Sequence, residues 1–321
     1  MMLIHQLSSQ QNLTIEAIAK QIHLELLRNI KINLEGAKVG IEIEYLHNLR
    51  VTIRKIRSAL TLIPDVFSQQ ELQHFKEEFK WLQQVTSQVR DLDVHLVYLQ
   101  KYQQGLTIDQ ITALQSIIQT IKQQRTYAQI DMNEAFNSTR LSRLLSGWEK
   151  LLTINNKTNK HDLTTHHVAN IINYSLRKLY KKIIQHGRMI HHHSSNEDLH
   201  DMRKRCKKLR YMLEFFHHFY DINAIKHLIK LIKHLTDELG ICQDLAVQKQ
   251  LIITIQTKML IDNNDNNLQL DTQLILTNLL TNVQQNYETS KLKFIQIFTT
   301  LDNACERNLF RILLNSNSIS H

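Results

Sequence analysis

An internal repeat constrains this chain more than any other feature of its sequence. Two segments match without a gap, one from Leu46 (LHNLRVTIRKIRSAL) and the other from Leu199 (LHDMRKRCKKLRYML), at an offset of 153 residues. The register continues downstream in five further pairs, which are His74 with His227, Lys80 with Lys233, Leu82 with Leu235, Asp91 with Asp244 and Val94 with Val247. Because charged and apolar positions both match, we interpret the chain as two copies of one helical module.

The scarcity of chain breakers indicates that the module is helical. The 321 residues include one proline and six glycines, so long helices are favoured over a fold rich in turns. We predict an all-α fold of two antiparallel four-helix bundles, with the first copy in 1–153 and the second in 154–321. The predicted helices are 14–35, 42–62, 69–101 and 107–147 in the first copy, and 164–190, 196–219, 222–259 and 270–303 in the second.

Local signals mark some of the predicted boundaries. The Asn-rich stretch 155–162 separates the two copies, since Asn and Asp side chains favour turns. Ser68 and Asp221 are predicted N-caps of the third helix of each copy.

Each copy carries a stripe of cationic side chains on its second helix. His47, Arg50, Arg54 and Arg57, which we call the first stripe, have offsets of 0, 3, 7 and 10 and fall within an arc of roughly 80° on a helix. The second stripe repeats the pattern with His200, Arg203, Lys207 and Arg210. Matched apolar pairs are predicted to face the core beside the stripes, namely Ile53 with Cys206, Ile56 with Leu209, and Leu60 with Leu213.

A stripe of like charges needs a counter-charge. Cations at this helical spacing repel by a few tenths of a kcal/mol per pair, and no acidic residue lies between His47 and Arg57. Either carboxylates on neighbouring helices or a bound polyanion must supply the negative charge. Arginine grips phosphate oxygens with paired donors, and lysine acts as a point charge. A solvated charged face is the alternative, but the recurrence of the whole pattern favours binding.

Further candidates accompany the stripes. Lys55 and Lys208 flank them, and Lys80 and Lys233 on the third helices extend the proposed surface. Asp91 and Asp244 either orient stripe arginines by ion pairing or serve as structural carboxylates, and neither is well placed to act as a catalytic base.

The doubled motif resembles the CHAD family, the conserved histidine α-helical domain. The resemblance rests on His47-Asn-Leu-Arg50 followed by Val89-Arg90-Asp91-Leu-Asp93-Val94, and on His200-Asp-Met-Arg203 followed by Leu239-Gly240-Ile-Cys-Gln-Asp244-Leu-Ala-Val247. It covers about 14–303 as one continuous domain. It implies two bundles related by a pseudo-twofold axis, a central basic groove or cavity that binds inorganic polyphosphate, and association with polyphosphate granules. The implied binding residues are the two stripes, with Lys55 and Lys208.

Several positions depart from the family pattern. The first copy has Ser87 where the second has Gly240, and Ser58 and Thr61 where the second has Tyr211 and Glu214, so the two halves are expected to bind unequally. Many family members also carry a triphosphatase domain with an alternating-glutamate strand. Glu42-Ile-Glu44 lacks the lysine of that motif. We therefore expect no enzymatic activity and no cofactor.

The remaining features bear on partners and location. A net charge of +9 points to anionic partners, and a nucleic-acid-binding protein or, less favoured, a phosphate-chain hydrolase remain alternatives to the polyphosphate binder. The run His191–His193 could suggest a metal site, but no ligand set accompanies it, so a polar loop or helix end is preferred. Without a signal peptide or a membrane-length apolar run, a cytoplasmic protein that binds no membrane is expected. The sequence leaves the oligomeric state open.

Overall fold

The computed structural model describes residues 15–63, 66–154, 165–261 and 266–315, and these contain helices and no strand. The all-α class is confirmed. The helices are α1 (Ile15–Val39), α2 (Ile43–Leu62), α3 (Gln69–Val85), α4 (Ser87–Tyr102), α5 (Ile108–Phe136), α6 (Thr139–Thr153), α7 (Thr165–Gly187), α8 (Asn196–Phe215), α9 (Ile222–Ile261), α10 (Asn266–Leu301) and α11 (Ala304–Asn315). The predicted linker 155–162 lies outside the described residues. Within them, no helix combines the length and the apolar character that a membrane span needs.

Two predicted helices are divided in the structure. The predicted helix 69–101 is interrupted at Thr86, whose hydroxyl donates to the carbonyl oxygens of Leu82 at 3.1 Å and Gln83 at 3.0 Å. Such side-chain bonds compete with the helical ladder, and Thr86 has a ψ of 0°. The predicted helix 107–147 is divided where Ser138 caps α6 by accepting from the backbone N–H of Leu141. Helix α11 lies beyond the last predicted helix and begins after Asn303, whose Oδ1 accepts from the N–H of Glu306 at 2.8 Å.

Both predicted N-caps are confirmed. Ser68 forms a capping box with Glu71 at the start of α3, in which each side chain accepts from the backbone of the other residue. Asp221 Oδ1 accepts from the backbone N–H groups of Asn223 at 3.1 Å and Ala224 at 2.8 Å, at the start of α9.

The chain divides into two compact units. The first comprises the described residues up to Asp93 together with those from Lys122 to Tyr174, and the second comprises 94–121 and the described residues from Ser175 onward. In the first unit α2 packs on α1 and α3, and α6 packs on α1 and α3. In the second, α9 packs on α8, α10 and α11. Each unit therefore contains one of the two basic helices, α2 in the first and α8 in the second.

The predicted core face of both basic helices is buried. The matched residues Ile53, Ile56 and Leu60 on α2, and Cys206, Leu209 and Leu213 on α8, are all 0% exposed. Burial of six apolar side chains at matched positions fixes the rotation of α2 and α8 within their own units, because turning either helix would expose this face to water. That rotation decides where the basic side chains point.

The first unit has an aromatic core that encloses a buried histidine. Trp148 is fully buried and contacts Phe67, Phe75 and Phe79, and the ring of His23 packs edge-on at 5.0 Å from the Trp148 ring. His23 is also fully buried, and neither of its ring nitrogens has a hydrogen-bond partner among the described residues. Burial lowers the pKa of His23 from its ordinary 6.5 to about 3, so the native state holds this imidazole neutral.

The buried imidazole makes stability depend on pH. The folded pKa of His23 is below its unfolded value, so the unfolded chain binds more protons and stability falls as pH drops from 6.5 towards 3. Relative to a His23→Leu variant, the wild type should lose on the order of 1 kcal/mol of unfolding free energy between pH 7.5 and pH 5.5. Urea unfolding at both pH values measures the difference. The exposed His234→Gln variant is the control, and parallel pH profiles for wild type and His23→Leu would contradict the prediction.

Candidate functional site

The stripe residues emerge from the edges of the buried helix faces. All four residues of the first stripe are half-buried, as is the neighbouring Lys55. In the second stripe His200 is exposed, while Arg203, Lys207 and Arg210 are half-buried, as is Lys208. A half-buried cation keeps less of its hydration than an exposed one, so its local contacts determine how strongly it attracts an anion.

Arg50 is bound to the end of α3. Its Nη1 donates to the carbonyl oxygen of Gln83 at 2.9 Å, to Oγ1 of Thr86 at 2.9 Å and to Oγ of Ser87 at 3.2 Å. A cation at a helix C-terminus supplies the donors that the last turn lacks and is favoured by the helix dipole. These contacts hold the Arg50 guanidinium in place and join α2 to the break between α3 and α4.

The cations around Arg50 outnumber the nearby carboxylates. Burial, the largest cause, and the charges of Arg54 and Arg90 together lower the pKa of Arg50 to about 10, while Asp91 acts in the opposite direction. Asp91 is therefore close enough to act electrostatically on Arg50. We call Arg50, Arg54 and Arg90 the first cationic cluster.

Arg54 and Arg57 have no carboxylate within 4.0 Å among the described residues. The Nε of Arg54 is buried, and none of the described residues accepts a hydrogen bond from it. Burial lowers the pKa of Arg57 from its ordinary value. Both arginines are thus partly desolvated, and within the described part of the chain neither has an anionic partner.

Arg203 occupies the place in the second unit that Arg50 occupies in the first. A Cβ added to Gly240 would lie 3.1 Å from Nη2 of Arg203, so the missing side chain leaves room for the guanidinium. Gly240 matches Ser87, the residue whose hydroxyl accepts from Arg50. Arg50 and Arg203 therefore approach matched positions on the neighbouring helix. Arg50 contacts the hydroxyl of Ser87, and Arg203 lies against Gly240, which has no side chain.

His200 and Arg210 of the second stripe contact side chains of neighbouring residues. His200 Nδ1 lies 2.7 Å from Oε1 of Gln243, and because an amide oxygen only accepts, the contact requires a proton on Nδ1. Arg210 donates from Nη1 to Oγ1 of Thr236 at 3.1 Å, and its Nε forms an ion pair with Oε1 of Glu214 at 3.2 Å. The guanidinium of Arg210 also lies 5.2 Å from the ring centre of Tyr211. At the second stripe, part of the negative charge that balances the cations therefore comes from the protein itself, from Glu214.

Other predicted site residues lie away from these contacts. Lys80 on α3 and Lys233 on α9 are exposed, and in the described part of the chain their side chains make no hydrogen bond or ion pair with a stripe residue. His191–His193 form an exposed turn between α7 and α8, and buried Lys291 donates from Nζ to the carbonyl oxygens of His192 and Ser194. No three His, Cys, Asp or Glu side chains of residues 15–63, 66–154, 165–261 and 266–315 are grouped so that they could hold a metal ion.

Two charged residues of α4 were not identified from the sequence as important. Arg90 joins the first cationic cluster, but its match in the second copy is Gln243, so a search for repeated charges passes over it. Asp93 is 2% exposed and accepts from Nε of Arg125 at 2.6 Å, while Arg125 also donates to the carbonyl oxygen of Gly40 at 2.9 Å. The structural carboxylate of this segment is Asp93, two residues beyond the repeated Asp91.

Comparison with known proteins places these features in a family context. The family model of the CHAD domain matches residues 21–252. Among solved structures, the CHAD domain from the plant Ricinus communis aligns with a TM-score of 0.64 and 18% identity over 95% of this chain and 94% of that one. PptA from Streptomyces chartreusis aligns with a TM-score of 0.63 and 15% identity over 88% of this chain and 97% of that one. At these identities the structures show a shared fold. No curated protein matches the sequence.

The contacts predict opposite effects on stability for two adjacent stripe arginines. Arg50→Met removes a charged donor from three oxygen acceptors and should lower the free energy of unfolding by about 1–3 kcal/mol. Arg54→Met keeps an apolar stem, removes a like charge beside Arg50, and should leave stability unchanged or slightly raised. Urea unfolding of the two variants without added polyanion makes the comparison. An equal loss of stability in both would mean that Arg54 is also a structural residue.

Proposed function

The chain belongs to the CHAD domain family, and on that premise we propose that it binds inorganic polyphosphate through the two stripes without hydrolysing it. The observation that carries the proposal is the first cationic cluster together with Arg57. Four arginines, Arg50, Arg54, Arg57 and Arg90, lie on or beside one stripe, and among the described residues Arg54 and Arg57 have no carboxylate partner. A bound polyanion would supply the missing negative charge.

The spacing of the stripe suits a polymer better than a single phosphate. Arg50 and Arg57 are seven residues apart on α2, which corresponds to about 10 Å along a helix. A chain of linked phosphates presents negative charge continuously over that length, so it can engage all the cations along the stripe in extended positions. Arginine can bind phosphate oxygens with two donors at once, and contacts in a partly dehydrated site are stronger than contacts in bulk water.

Other parts of the proposal concern the architecture and the setting. We propose that each copy forms an antiparallel four-helix bundle, which is supported by the matched packing of Arg50 against α3 and α4 and of Arg203 against Gly240. Lys55, Lys208, Lys80 and Lys233 would contribute to long-range attraction, since they add positive charge on or near the same helices. Association with polyphosphate granules in the cytoplasm, and binding of other polyanions, are further proposals that follow from this function.

The stripes have little that would favour nucleic acid over polyphosphate. Proteins that bind single-stranded nucleic acid stack bases on exposed aromatic rings. Tyr211, the aromatic residue beside the second stripe, is 2% exposed, so its ring is not available to a base. Catalysis on a phosphate chain usually needs carboxylates that hold metal ions. Glu214 is ion-paired with Arg210, and the stripes themselves contain no acidic residue.

Binding should be strong, dependent on salt and selective for polyphosphate. Titration with long-chain polyphosphate at 50 mM and 200 mM salt should show affinity falling by at least tenfold, because each phosphate contact releases a counter-ion. In competition experiments, long-chain polyphosphate should displace bound DNA and RNA of equal total charge. Preference for nucleic acid at physiological salt would overturn the proposal. Release of orthophosphate with added magnesium or manganese would show an enzyme instead.

Reversing one charge in each stripe should abolish binding while preserving the fold. We expect the double variant Arg54→Glu with Lys207→Glu to lose polyphosphate affinity by more than a hundredfold, because each change replaces attraction by repulsion. The far-ultraviolet circular dichroism should stay helical. Polyphosphate should raise the melting temperature of the wild type and not that of the variant. Unchanged affinity in a folded double variant would place the binding site elsewhere.

A further inference from the structure

The two stripes carry the same pattern of cations, but the residues around them differ in charge. Given that the chain binds polyphosphate as proposed above, we infer that the first stripe supplies most of the affinity and that Glu214 is an internal counter-ion that weakens the second stripe. The inference rests on three matched positions at which one copy is more positive or less paired than the other.

Glu214 lies on the same face of α8 as the second stripe, next to its last residue. It follows His200 by 14 residues, which places it at roughly −40° on the helix, inside the arc from about −80° to 0° that the four cations occupy. It is one turn beyond Arg210 and forms the 3.2 Å ion pair with its Nε. A phosphate that approaches Arg210 must displace this carboxylate or accept its repulsion, and either requirement weakens binding.

Thr61 is the corresponding residue of the first stripe. It is exposed and its hydroxyl donates to the carbonyl oxygen of Arg57 at 2.9 Å, so it contributes no charge. Within the described residues, Arg57 has no ion-pair partner, whereas its match Arg210 contacts Glu214, Thr236 and the ring of Tyr211. Among the described residues, Arg210 therefore has one hydrogen bond, from Nη1, and an internal carboxylate next to its Nε, which itself makes no hydrogen bond, whereas Arg57 has no such carboxylate.

A third difference lies on the neighbouring helix. Arg90 adds a positive charge close to Arg50, and its match Gln243 is neutral and contacts His200 at 2.7 Å. Together the exchanges of Arg90 for Gln243 and of Thr61 for Glu214 make the first stripe region more positive than the second by two charges. Asp91 and Asp244 match each other and leave this difference unchanged.

Reciprocal substitutions at the matched positions test the inference. Thr61→Glu places a carboxylate four residues after Arg57, as Glu214 follows Arg210, and should lower polyphosphate affinity about tenfold and the salt slope by about one. Glu214→Gln removes the counter-ion and should raise affinity about threefold. Arg57→Gln should reduce affinity more than Arg210→Gln does. Fluorescence anisotropy with end-labelled polyphosphate, on the full chain at two salt concentrations, measures all four variants.

Matched controls separate a local effect from a change in net charge. Thr126→Glu adds the same charge at an exposed threonine whose hydroxyl also donates to the carbonyl oxygen four residues earlier, that of Lys122 at 3.0 Å. Glu134→Gln removes a charge from an exposed glutamate of α5. Both should change affinity less than twofold. Circular dichroism and urea unfolding establish that each variant is folded. If Glu214→Gln unfolds, Glu214→Asp takes its place. It keeps the negative charge and should leave the polyphosphate affinity near the wild-type value.

The outcomes distinguish this inference from the proposed function. A wild-type chain that does not bind polyphosphate overturns both. A wild type that binds, with equal losses in Arg57→Gln and Arg210→Gln, overturns the asymmetry alone. The same holds if Thr61→Glu behaves like Thr126→Glu, if Glu214→Gln lowers affinity, or if Glu214→Asp changes it as strongly as Thr61→Glu does.

Discussion

The position of the basic side chains depends on the buried apolar face of the same helix. Ile53, Ile56 and Leu60 are 0% exposed, and their burial fixes the rotation of α2 so that the first stripe emerges at the edge of the core. Hydrophobic burial of this kind is worth roughly 1.5–3 kcal/mol for each large side chain, which exceeds the few tenths of a kcal/mol by which each pair of stripe cations repels. The apolar face therefore decides the geometry, and the cations are held where the core places them.

Arg50 and Arg54 of the first stripe differ in their contacts and in what those contacts do. Arg50 donates to three oxygens at the junction of α3 and α4, so it stabilises the packing of α2 as well as adding charge. Arg54 lies beside it with a buried Nε that has no acceptor among the described residues. Anchoring one guanidinium firmly restricts where the next can lie, and this reduces the entropy that a bound phosphate chain would have to remove. The proposed site is therefore held in place by Arg50 and left without an internal hydrogen-bond partner at the Nε of Arg54, within the described residues.

The repeat has kept the scaffold and changed the charges. The apolar pairs and the His-x-x-Arg pattern recur in both copies, and Arg50 and Arg203 approach matched positions of the neighbouring helix. Residues around the stripes differ more: Ser87 against Gly240, Arg90 against Gln243, and Thr61 against Glu214. Substitutions at the rim of a stripe change its charge without disturbing the core, so two copies of one module can have different affinities for the same polymer.

The sequence by itself determined the helical class, most helix positions, both N-caps and the buried face of the basic helices, because periodicity, caps and scarce breakers act locally. It also identified which cations recur. It did not reveal that Thr86 ends α3, that Arg90 joins the first cationic cluster, or that Asp93 rather than Asp91 is the buried carboxylate. Those outcomes depend on which side chains of different helices come within about 3 Å of one another. Only the tertiary structure determines which of these side chains meet. The packing of whole helices brings distant residues together, and no hydrophobic or charge periodicity in the sequence marks such contacts.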